Sequence, residues 1–311
     1  MRTDKQPTSH SQPVLLAAPY DFARSIGFWQ LSTLELCEQW ADGVYRRVLV
    51  LDGKPRVLEA RAVGEITTPA VTLVLDGQPP SAAEQAALVP LVRHVLAADA
   101  DLTGFYAAVS DDPVMALVTQ QHYGLRPPRS PLWETLCWVI IGQQISLPFA
   151  RTLKTRLVER YAARFEVAGR PLHVFPPPEQ LAAVPLDDLL PMQFSRNKAS
   201  FIIGLAQAIV DGRLDLDAVA HMPTADATAY LVQFRGIGRW TAEFTLLRAF
   251  GRRDALPAND AGVRQAITAL YGYKLAEPEL RAFAARWGEW GGLVALYLLG
   301  WLKAQRAATH D

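Results

Sequence analysis

The stretch FRGIGRWTAEF, residues 234–244, decides the fold. A helix-compatible run is interrupted by Gly236 and Gly238, which flank a single isoleucine, and it resumes at once with an arginine and a tryptophan. Each glycine inside a helix costs about 1 kcal/mol relative to alanine, so two within three residues mark a turn between two helices. The sequence therefore predicts a tight helical hairpin.

The same turn predicts an anion-binding site. The first amide groups of the second helix have no partner within that helix, and they point outward at its positive end. Such a helix start binds phosphate without a specific side chain. Arg235 and Arg239 flank the turn and can add positive charge. The alternative is a helix corner in which the glycines serve packing only, but the apolar Ile237 between them and the adjacent arginines favour phosphate binding.

Length and composition limit the remaining possibilities. The chain has 311 residues, of which half are hydrophobic and a fifth charged, so it fits a soluble globular protein of two or three domains. The formal net charge is zero, so any nucleic-acid binding must come from local geometry. No apolar run is long enough to span a bilayer, and the polar start over residues 1–12 is typical of a disordered tail. We expect a cytoplasmic protein that does not associate with a membrane.

The two cysteines, Cys37 and Cys137, are far apart and lie in apolar surroundings, which predicts buried free thiols. Two cysteines cannot hold a four-thiolate cluster, and no Cys/His spacing resembles a zinc site, so we predict no metal site and no cofactor. A small-molecule enzyme of helical type is an alternative class, but no P-loop, dinucleotide-binding or HExxH motif favours it.

The pattern of hydrophobic residues changes near residue 104. Residues 13–104 predict an α+β domain, in which a helix capped by Ser81 follows the strands. The predicted strands lie at 44–53, 55–64 and 70–77. Residues 105–311 show helical spacing between Pro- and Gly-bearing loops and no strand pattern, so this region is predicted to be all-helical, with the hairpin at about 225–250.

Several stretches resemble the helix-hairpin-helix superfamily of DNA glycosylases. LVQFRGIGRWTAEFTLLRAFGRRDALPANDAGVRQAI (231–267) matches its signature of a hairpin, a Gly/Pro-rich loop and a downstream aspartate. WVIIGQQIS (138–146) is similar to the DNA-facing loop of that family, and FSRNKASFIIGLA (194–206) to its R-x-K helix start. PYDFARSIGFW (19–29) is similar to the opening of the 3-methyladenine glycosylase II branch. The resemblance implies an α+β fold with a small N-terminal antiparallel-sheet/helix domain, followed by two all-helical lobes with the active site in the cleft between them.

The position of Trp240 separates two chemistries in the family that the chain resembles. Members that also cut the DNA strand carry a lysine there as a Schiff-base nucleophile. The neighbouring Arg239 cannot replace it, because a guanidinium is never deprotonated in proteins. The resemblance therefore implies a monofunctional glycosylase, which removes the base with water and leaves an abasic site.

Asp260 is the predicted catalytic residue. It follows a proline-bearing loop and begins the helical run DAGVRQAITALYG. Cleavage of a glycosidic bond passes through a sugar cation, which a fixed carboxylate stabilises while it can also take a proton from water. Local sequence alone favours a plain N-cap, the commonest use of aspartate at such a place. The hairpin at the spacing of the family favours catalysis, and both roles can coexist.

Three aromatic residues are candidates for the base pocket. Trp240 and Phe244 are four residues apart and share a helix face. Phe28 matches the family position at which the N-terminal domain adds an aromatic ring. Flat electron-rich walls suit a flipped base, above all one that alkylation has made cationic. Ordinary core packing is the alternative for all three, and for Phe28 and Phe244 the two interpretations weigh equally.

Further residues are predicted to bind DNA. Gln144 matches the place at which the family inserts a side chain into the gap left by the flipped base, and Gln143 can share this role; the alternative is a polar loop end. Arg196 and Lys198 can contact phosphates, although exposed basic residues usually bind nothing specific. The resemblance also implies a monovalent cation on the carbonyl groups of the hairpin.

The last helix departs from the pattern of the 3-methyladenine branch. That branch follows Trp-x-Pro-aromatic-Arg, whereas here Glu289 replaces the proline and Gly291 the arginine. Leu299 lies near the position of the expected pocket aromatic. Other aromatic residues lie nearby: Trp287, Trp290, Tyr297 and Trp301.

Together these patterns predict a monomeric, monofunctional DNA glycosylase that flips and excises alkylated purines from double-stranded DNA in base excision repair. One alternative keeps the fold but changes the base, to deaminated or mismatched bases. Another is a non-catalytic protein that binds the DNA backbone, since helical hairpins also bind the DNA backbone in proteins without catalytic activity. Asp260 at the family spacing argues against the second alternative.

Overall fold

The computed structural model describes residues 12–28 and 35–308. Nearly all of the predicted tail, residues 1–12, therefore lies outside the described residues, as does Trp29 at the end of the stretch 19–29. Within the described part of the chain, no helix is both long and apolar enough to cross a membrane.

The N-terminal domain contains a five-stranded antiparallel sheet with the strand order β1-β5-β4-β3-β2. The strands are β1 (Val14–Leu15), β2 (Glu38–Ala41), β3 (Val44–Leu51), β4 (Lys54–Ala62) and β5 (Ala70–Leu75). The three predicted strands are confirmed as β3, β4 and β5. Asp-Gly turns at 42–43 and 52–53 connect β2 to β3 and β3 to β4, and both residues of each turn have positive φ. Two-residue hairpin turns require this geometry, and Asp-Gly adopts it readily.

Two helices complete the domain: α1 (Phe22–Ile26) and α2 (Ala82–Val95). The predicted cap of α2 is confirmed, because Ser81 accepts the Glu84 amide and Glu84 accepts the Ser81 amide in a capping box. Leu88 and Val92 of α2 are fully buried with the inward residues of β4 and β5. The core of this domain includes Ala98, whereas Leu102 already belongs to the core of the helical region.

The helical region begins with α3 and ends with α15. Its longer helices are α3 (Leu102–Val109), α4 (Pro113–Gln121), α5 (Leu132–Gly142), α6 (Leu147–Tyr161), α9 (Arg196–Val210), α11 (Thr224–Leu231), α12 (Arg239–Phe250), α13 (Ala261–Tyr271), α14 (Glu277–Ala284) and α15 (Gly291–Ala308). The shorter ones are α7 (Pro178–Ala182), α8 (Leu186–Leu189) and α10 (Leu216–His221), with 3-10 turns at Leu190–Met192 and Ala285–Trp290. The apolar helix α5 packs against α6, α9 and α12, and α13 packs against α15.

The prediction that no strand lies beyond residue 105 is wrong. Strands β6 (Arg164–Val167) and β7 (Arg170–His173) form an antiparallel hairpin. Ala168 and Gly169 both have positive φ, as a two-residue hairpin turn requires. Leu172 packs in a small cluster with Val48 and Val57 of the N-terminal sheet. An isolated hairpin is marginal in water, so this contact with another domain, which local sequence does not show, supports the two strands.

A buried ionic network joins the N-terminal sheet to α5 and α6. Arg47 on β3 pairs with Glu38, 3.2 Å away, and with Glu134 of α5. Lys154 of α6 donates to Glu35 and Glu134 at 2.9 Å. Burial alone would raise the pKa of Glu134, but the two cations lower it to about 2. Every member is paired, so the network specifies how the two domains meet.

Both cysteines are buried free thiols, as predicted. Burial raises the pKa of each thiol, which keeps both protonated. Ligand atoms of Cys37, Glu35 and Glu134 lie within 4.8 Å of one another. However, the Lys154 ammonium already bonds to both carboxylates, so this cluster is an ion-pair network with a neighbouring thiol.

Candidate active site

The two glycines of the hairpin have different structural roles. Gly236 has φ +95°, and a Cβ atom added there would lie 2.5–2.7 Å from the Phe201 side chain of α9. Only glycine fits this position. Gly238 has an ordinary extended conformation, and a Cβ atom there would enter open space. Gly238 therefore leaves the outer face of the turn uncovered, at the start of α12.

The backbone at the turn presents amide groups outward. Ile237 is buried in the helical core, and its amide donates to Phe234 O at 3.1 Å, so this residue anchors the turn from inside. Gly238 is the N-cap of α12, and among the described residues no side chain caps this helix start. The amides of the first turn of α12 are thus available to an acceptor outside the protein.

Both arginines beside the turn are exposed. Arg235 lies over the Phe201 ring, with its Cζ atom 5.6 Å from the ring centroid. Arg239 bonds to Glu243 one turn later on α12, at 2.9 Å. Glu243 also accepts from Arg281 of α14 at 2.8 Å, which leaves the Arg239 side chain held near the helix start but open to solvent.

Asp260 connects the hairpin to the start of α13. Its Oδ1 atom accepts the amides of Gly262 and Val263 at 2.8 and 3.0 Å, so it is the N-cap of that helix. Its Oδ2 atom accepts the indole N–H of Trp240 at 3.2 Å. The cap predicted from local sequence is therefore present, and the second oxygen faces α12. Three donors fix the Asp260 carboxylate beside the hairpin helix.

Trp240 and Phe244 form an aromatic pair next to this carboxylate. Their ring centroids are 5.7 Å apart, with 32° between the ring planes, and both side chains are half-buried. Phe28 is buried and packs on α15, where its Cε2 atom lies 3.2 Å from a Cβ atom added at Gly300. The neighbouring Leu299 approaches Gly262 at the start of α13. Phe28 and Gly262, whose amide Asp260 caps, thus lie against adjacent positions of α15.

The two glutamines of the loop after α5 lie in different environments. The Gln143 side chain donates to Gly236 O and Thr241 Oγ1 at 2.9 and 3.0 Å, so it ties the loop to the hairpin. Gln144 is exposed and has φ +56°. A positive φ is uncommon for a glutamine, and such strain is concentrated at functional sites.

Lys198 and Arg196 lie on α9 in different environments. The Lys198 ammonium donates to Ile141 O and Gln143 O at 2.5 Å, so it caps the carboxyl end of α5. Desolvation lowers the pKa of Lys198 to about 8. Arg196 is exposed and lies 3.8 Å from Asp187. Of the two predicted phosphate contacts, only the Arg196 side chain points away from the protein.

Comparison with known families matches this arrangement. Residues 137–290 match the model of the HhH-GPD superfamily of base excision DNA repair proteins, and residues 15–131 match the AlkA N-terminal domain. The DNA-3-methyladenine glycosylase of Bacillus subtilis is 30% identical over 288 residues, which cover 92% of this chain and 95% of that protein. The chain belongs to the HhH-GPD superfamily.

Other members are similar over nearly the whole chain. The DNA-3-methyladenine glycosylase 2 of Escherichia coli is 26% identical over 91% of this chain and 95% of its own length. The solved structure of a 3-methyladenine DNA glycosylase from Archaeoglobus fulgidus superposes with a TM-score of 0.82 at 26% identity, and covers 94% of this chain and 98% of that one. The predicted family and fold are thus confirmed.

The last helix of this HhH-GPD protein and the 3-10 turn before it place their aromatic residues mainly in the core. Trp287 donates to Asp112 at 3.1 Å, and the Tyr297 hydroxyl donates to Leu125 O at 3.1 Å. Trp290 is buried beneath the Arg253 guanidinium, whose Cζ atom lies 4.3 Å from the ring centroid. Trp301 is half-buried. The side chain nearest the start of α13 is the aliphatic Leu299, so an alkyl group stands where the resemblance leads one to expect a ring.

Two residues of the site were missed in the sequence. Phe201 forces glycine at 236 and lies under Arg235, and Thr241 receives the Gln143 side chain. Phe201 is an unremarkable apolar residue in a helical run, and nothing local predicts which turn it contacts. Thr241 follows the turn directly, and its place in the first turn of α12 was the only available signal.

Proposed function

We propose that this protein is a monofunctional DNA glycosylase that flips an alkylated purine out of double-stranded DNA and hydrolyses its N-glycosidic bond. The observation that carries the proposal is the position of Asp260, whose Oδ2 atom lies 3.2 Å from the indole nitrogen of Trp240 at the start of the hairpin helix. This contact brings a fixed carboxylate, an aromatic wall and an uncapped helix start together.

The hairpin supplies the grip on DNA. The free amides at the start of α12 donate hydrogen bonds to a phosphate of the DNA backbone without reading a base, and Arg235 and Arg239 add positive charge at the same place. Gln144, exposed on the neighbouring loop, fills the gap in the duplex left by the flipped base. Gln143 and Lys198 support this contact indirectly, since Gln143 ties the loop to the hairpin and Lys198 ties the end of α5 to α9.

The reaction needs one carboxylate. Water attacks C1′ of the deoxyribose, the electrons of the glycosidic bond pass to the base nitrogen, and the water proton passes to Asp260. The negative charge of Asp260 also stabilises the sugar cation that develops at the transition state. The products are the free base and an abasic site.

The aromatic pair of Trp240 and Phe244 suits a cationic base. Alkylation at a ring nitrogen gives a purine a positive charge, which the faces of electron-rich rings attract. Such a base leaves as a neutral molecule, so no general acid is required. Phe28 and Leu299 close the pocket from the side of α15, and the names of the relatives from B. subtilis and E. coli indicate the same 3-methyladenine substrate.

The residue at position 240 also supports hydrolysis without strand cleavage. An indole cannot form a Schiff base, and the adjacent guanidinium of Arg239 remains protonated. The hydrogen bond from Trp240 to Asp260 gives this side chain a different role, which is to orient the carboxylate. The protein is proposed to act as a monomer.

A measurement of released bases tests the proposal. Duplex DNA treated with a methylating agent is incubated with the protein, and the free bases are separated by chromatography. We expect 3-methyladenine in the soluble fraction and no covalent protein–DNA adduct after borohydride treatment. Absence of 3-methyladenine release, together with base release from a duplex that carries a deaminated or mismatched base, would contradict the substrate, and a borohydride-trapped adduct would contradict the monofunctional reaction.

A further inference from the structure

A small cavity lies where the connection from the N-terminal domain to α5 passes over α12 and α15. Its volume is about 30 Å³. Four leucines from three helices contribute to its wall, namely Leu102, Leu247, Leu293 and Leu296. The other lining residues include Arg126 and Arg129 of the connection. The cavity lies at the carboxyl end of α12, about 15 Å along the helix from Trp240, so it is separate from the candidate active site.

Arg126 places unpartnered donors at this cavity. Only 2% of the residue is exposed, its Nη1 atom donates to Ala98 O at 2.8 Å, and its guanidinium lies over the Tyr20 ring. Its Nε and Nη2 atoms are buried and have no acceptor within the described chain. Buried N–H groups of a charged side chain are almost always bonded, so these two call for an acceptor.

Arg129 adds a second positive charge, and it too has a buried N–H group, at Nε, without an acceptor among the described residues. Its guanidinium lies against Gly251, where an added Cβ atom would come within 2.6–2.9 Å of it. The side chain is thus fixed between the cavity and the end of α12.

In the described part of the chain, no buried carboxylate pairs with either of these two arginines. Asp99 is close enough to act on both arginines, but it is 63% exposed and is bonded to Arg93. Arg248 also lines the cavity, and the carboxylates of the domain network, Glu35, Glu38 and Glu134, act on its charge. Burial lowers the pKa of Arg126 and Arg129, yet arginine stays protonated in proteins. Among the described residues, these two positive charges therefore have only the exposed Asp99 as a counter-charge.

We infer that this cavity binds a small inorganic anion of halide size between Arg126 and Arg129. A void of about 10–15 Å³ holds one water molecule, so a cavity of about 30 Å³ admits a halide but not a nucleotide. Water could accept the free N–H groups, but it would leave the charges unbalanced at a buried site. The anion joins the connection at Ala98 to the end of α12, and so stabilises the contact between the two domains.

The anion is tested with bromide as the probe. Crystals of the full chain grown in sodium bromide are expected to show an anomalous bromine peak within 3.5 Å of the guanidinium nitrogens of Arg126 and Arg129. In solution, the midpoint of thermal unfolding is compared in sodium bromide and in sodium gluconate of equal ionic strength, since gluconate is too large for the cavity. We expect the midpoint to be about 2–4 °C higher in bromide.

Two variants assign the effect to the cavity. Arg126→Gln keeps hydrogen-bonding ability but removes the charge, so the difference between the two salts should disappear. Arg213→Gln is the matched control, because Arg213 is exposed and pairs with Asp211 elsewhere on the surface. This variant should keep the full difference. Base excision is unsuitable as a readout, because salt weakens DNA binding by itself.

Every other result overturns the inference. Equal midpoints in the two salts without an anomalous peak would mean that water fills the cavity. A peak without a rise of the midpoint would mean an adventitious ion only. A rise that persists in Arg126→Gln would mean that bromide acts elsewhere. If Arg126→Gln does not fold, the bromine peak and the midpoint of the unaltered protein still decide the question.

Discussion

Exchange of each hairpin glycine for alanine separates its structural role from its binding role. In Gly236→Ala, the new Cβ atom must take φ +95° and would lie 2.5–2.7 Å from Phe201. A left-handed conformation costs alanine about 1–2 kcal/mol. Carbon atoms pack at about 3.5–4.0 Å, so the Phe201 ring must move by about 1 Å, and overpacking of this kind costs about 1–3 kcal/mol. We expect a total loss of about 2–5 kcal/mol.

In Gly238→Ala, the backbone is already extended and the Cβ atom enters open space. The free energy of unfolding should fall by less than about 1 kcal/mol, the cost of alanine at an N-cap. The new methyl group would stand between the helix start and a DNA phosphate, so the affinity for DNA should fall about tenfold or more through loss of a charge-assisted hydrogen bond.

Urea denaturation measures the first effect, and fluorescence anisotropy with a duplex that contains a tetrahydrofuran abasic-site analogue measures the second. The variant Phe201→Ala tests the steric part of the effect. If the two side chains clash, the double variant with Gly236→Ala should lose less unfolding free energy than the sum of the two single losses, by at least about 1 kcal/mol. Equal and small losses of stability for both glycine variants would refute the assignment. So would normal DNA affinity in a folded Gly238→Ala protein.

Four further substitutions have distinct expected outcomes. Trp240→Phe keeps the ring but removes the hydrogen bond to Asp260, so single-turnover excision should slow about tenfold while DNA affinity stays constant; an unchanged rate would contradict the orienting role. Gln144→Ala should weaken binding of the abasic-site duplex without a change in stability, whereas Gln143→Ala should lower stability by about 1–2 kcal/mol in urea, and the reverse pattern would disprove the division of roles. Glu134→Gln should cost about 3–5 kcal/mol at pH 7, because two buried cations lose a counter-charge. The folded-state pKa of Glu134 is lowered to about 2 from 4.5, so its contribution to stability is complete above about pH 4.5 and is lost towards pH 2. Urea titrations should therefore show that the difference in unfolding free energy between the variant and the unaltered protein narrows over that range.

Features set by local rules were predictable from the sequence. The Asp-Gly turns, the capping box at Ser81 and the glycines of the hairpin each follow from the conformation that a few adjacent residues can adopt. The N-cap role of Asp260 was predictable for the same reason. Its hydrogen bond with Trp240 spans 20 residues and was not predicted, although the family resemblance assigned both residues to one active site.

Features set by tertiary contacts were not predictable. The hairpin of β6 and β7 depends on the distant Val48 and Val57 for its support. Lys198 has the sequence context of an exposed basic residue, yet its ammonium caps α5, because the fold brings the end of that helix within 2.5 Å. Ile237 is named by the hairpin pattern, but its side chain anchors the turn from the core.

Asp260→Asn tests the proposed chemistry most directly. The amide keeps an oxygen that can cap α13 and differs little in size, so the fold and the affinity for the abasic-site duplex should be retained. Release of 3-methyladenine from methylated duplex DNA, measured under single-turnover conditions, should fall by at least about a hundredfold, because the charge that stabilises the sugar cation is gone. Release at the rate of the unaltered protein would show that this carboxylate does not catalyse the reaction.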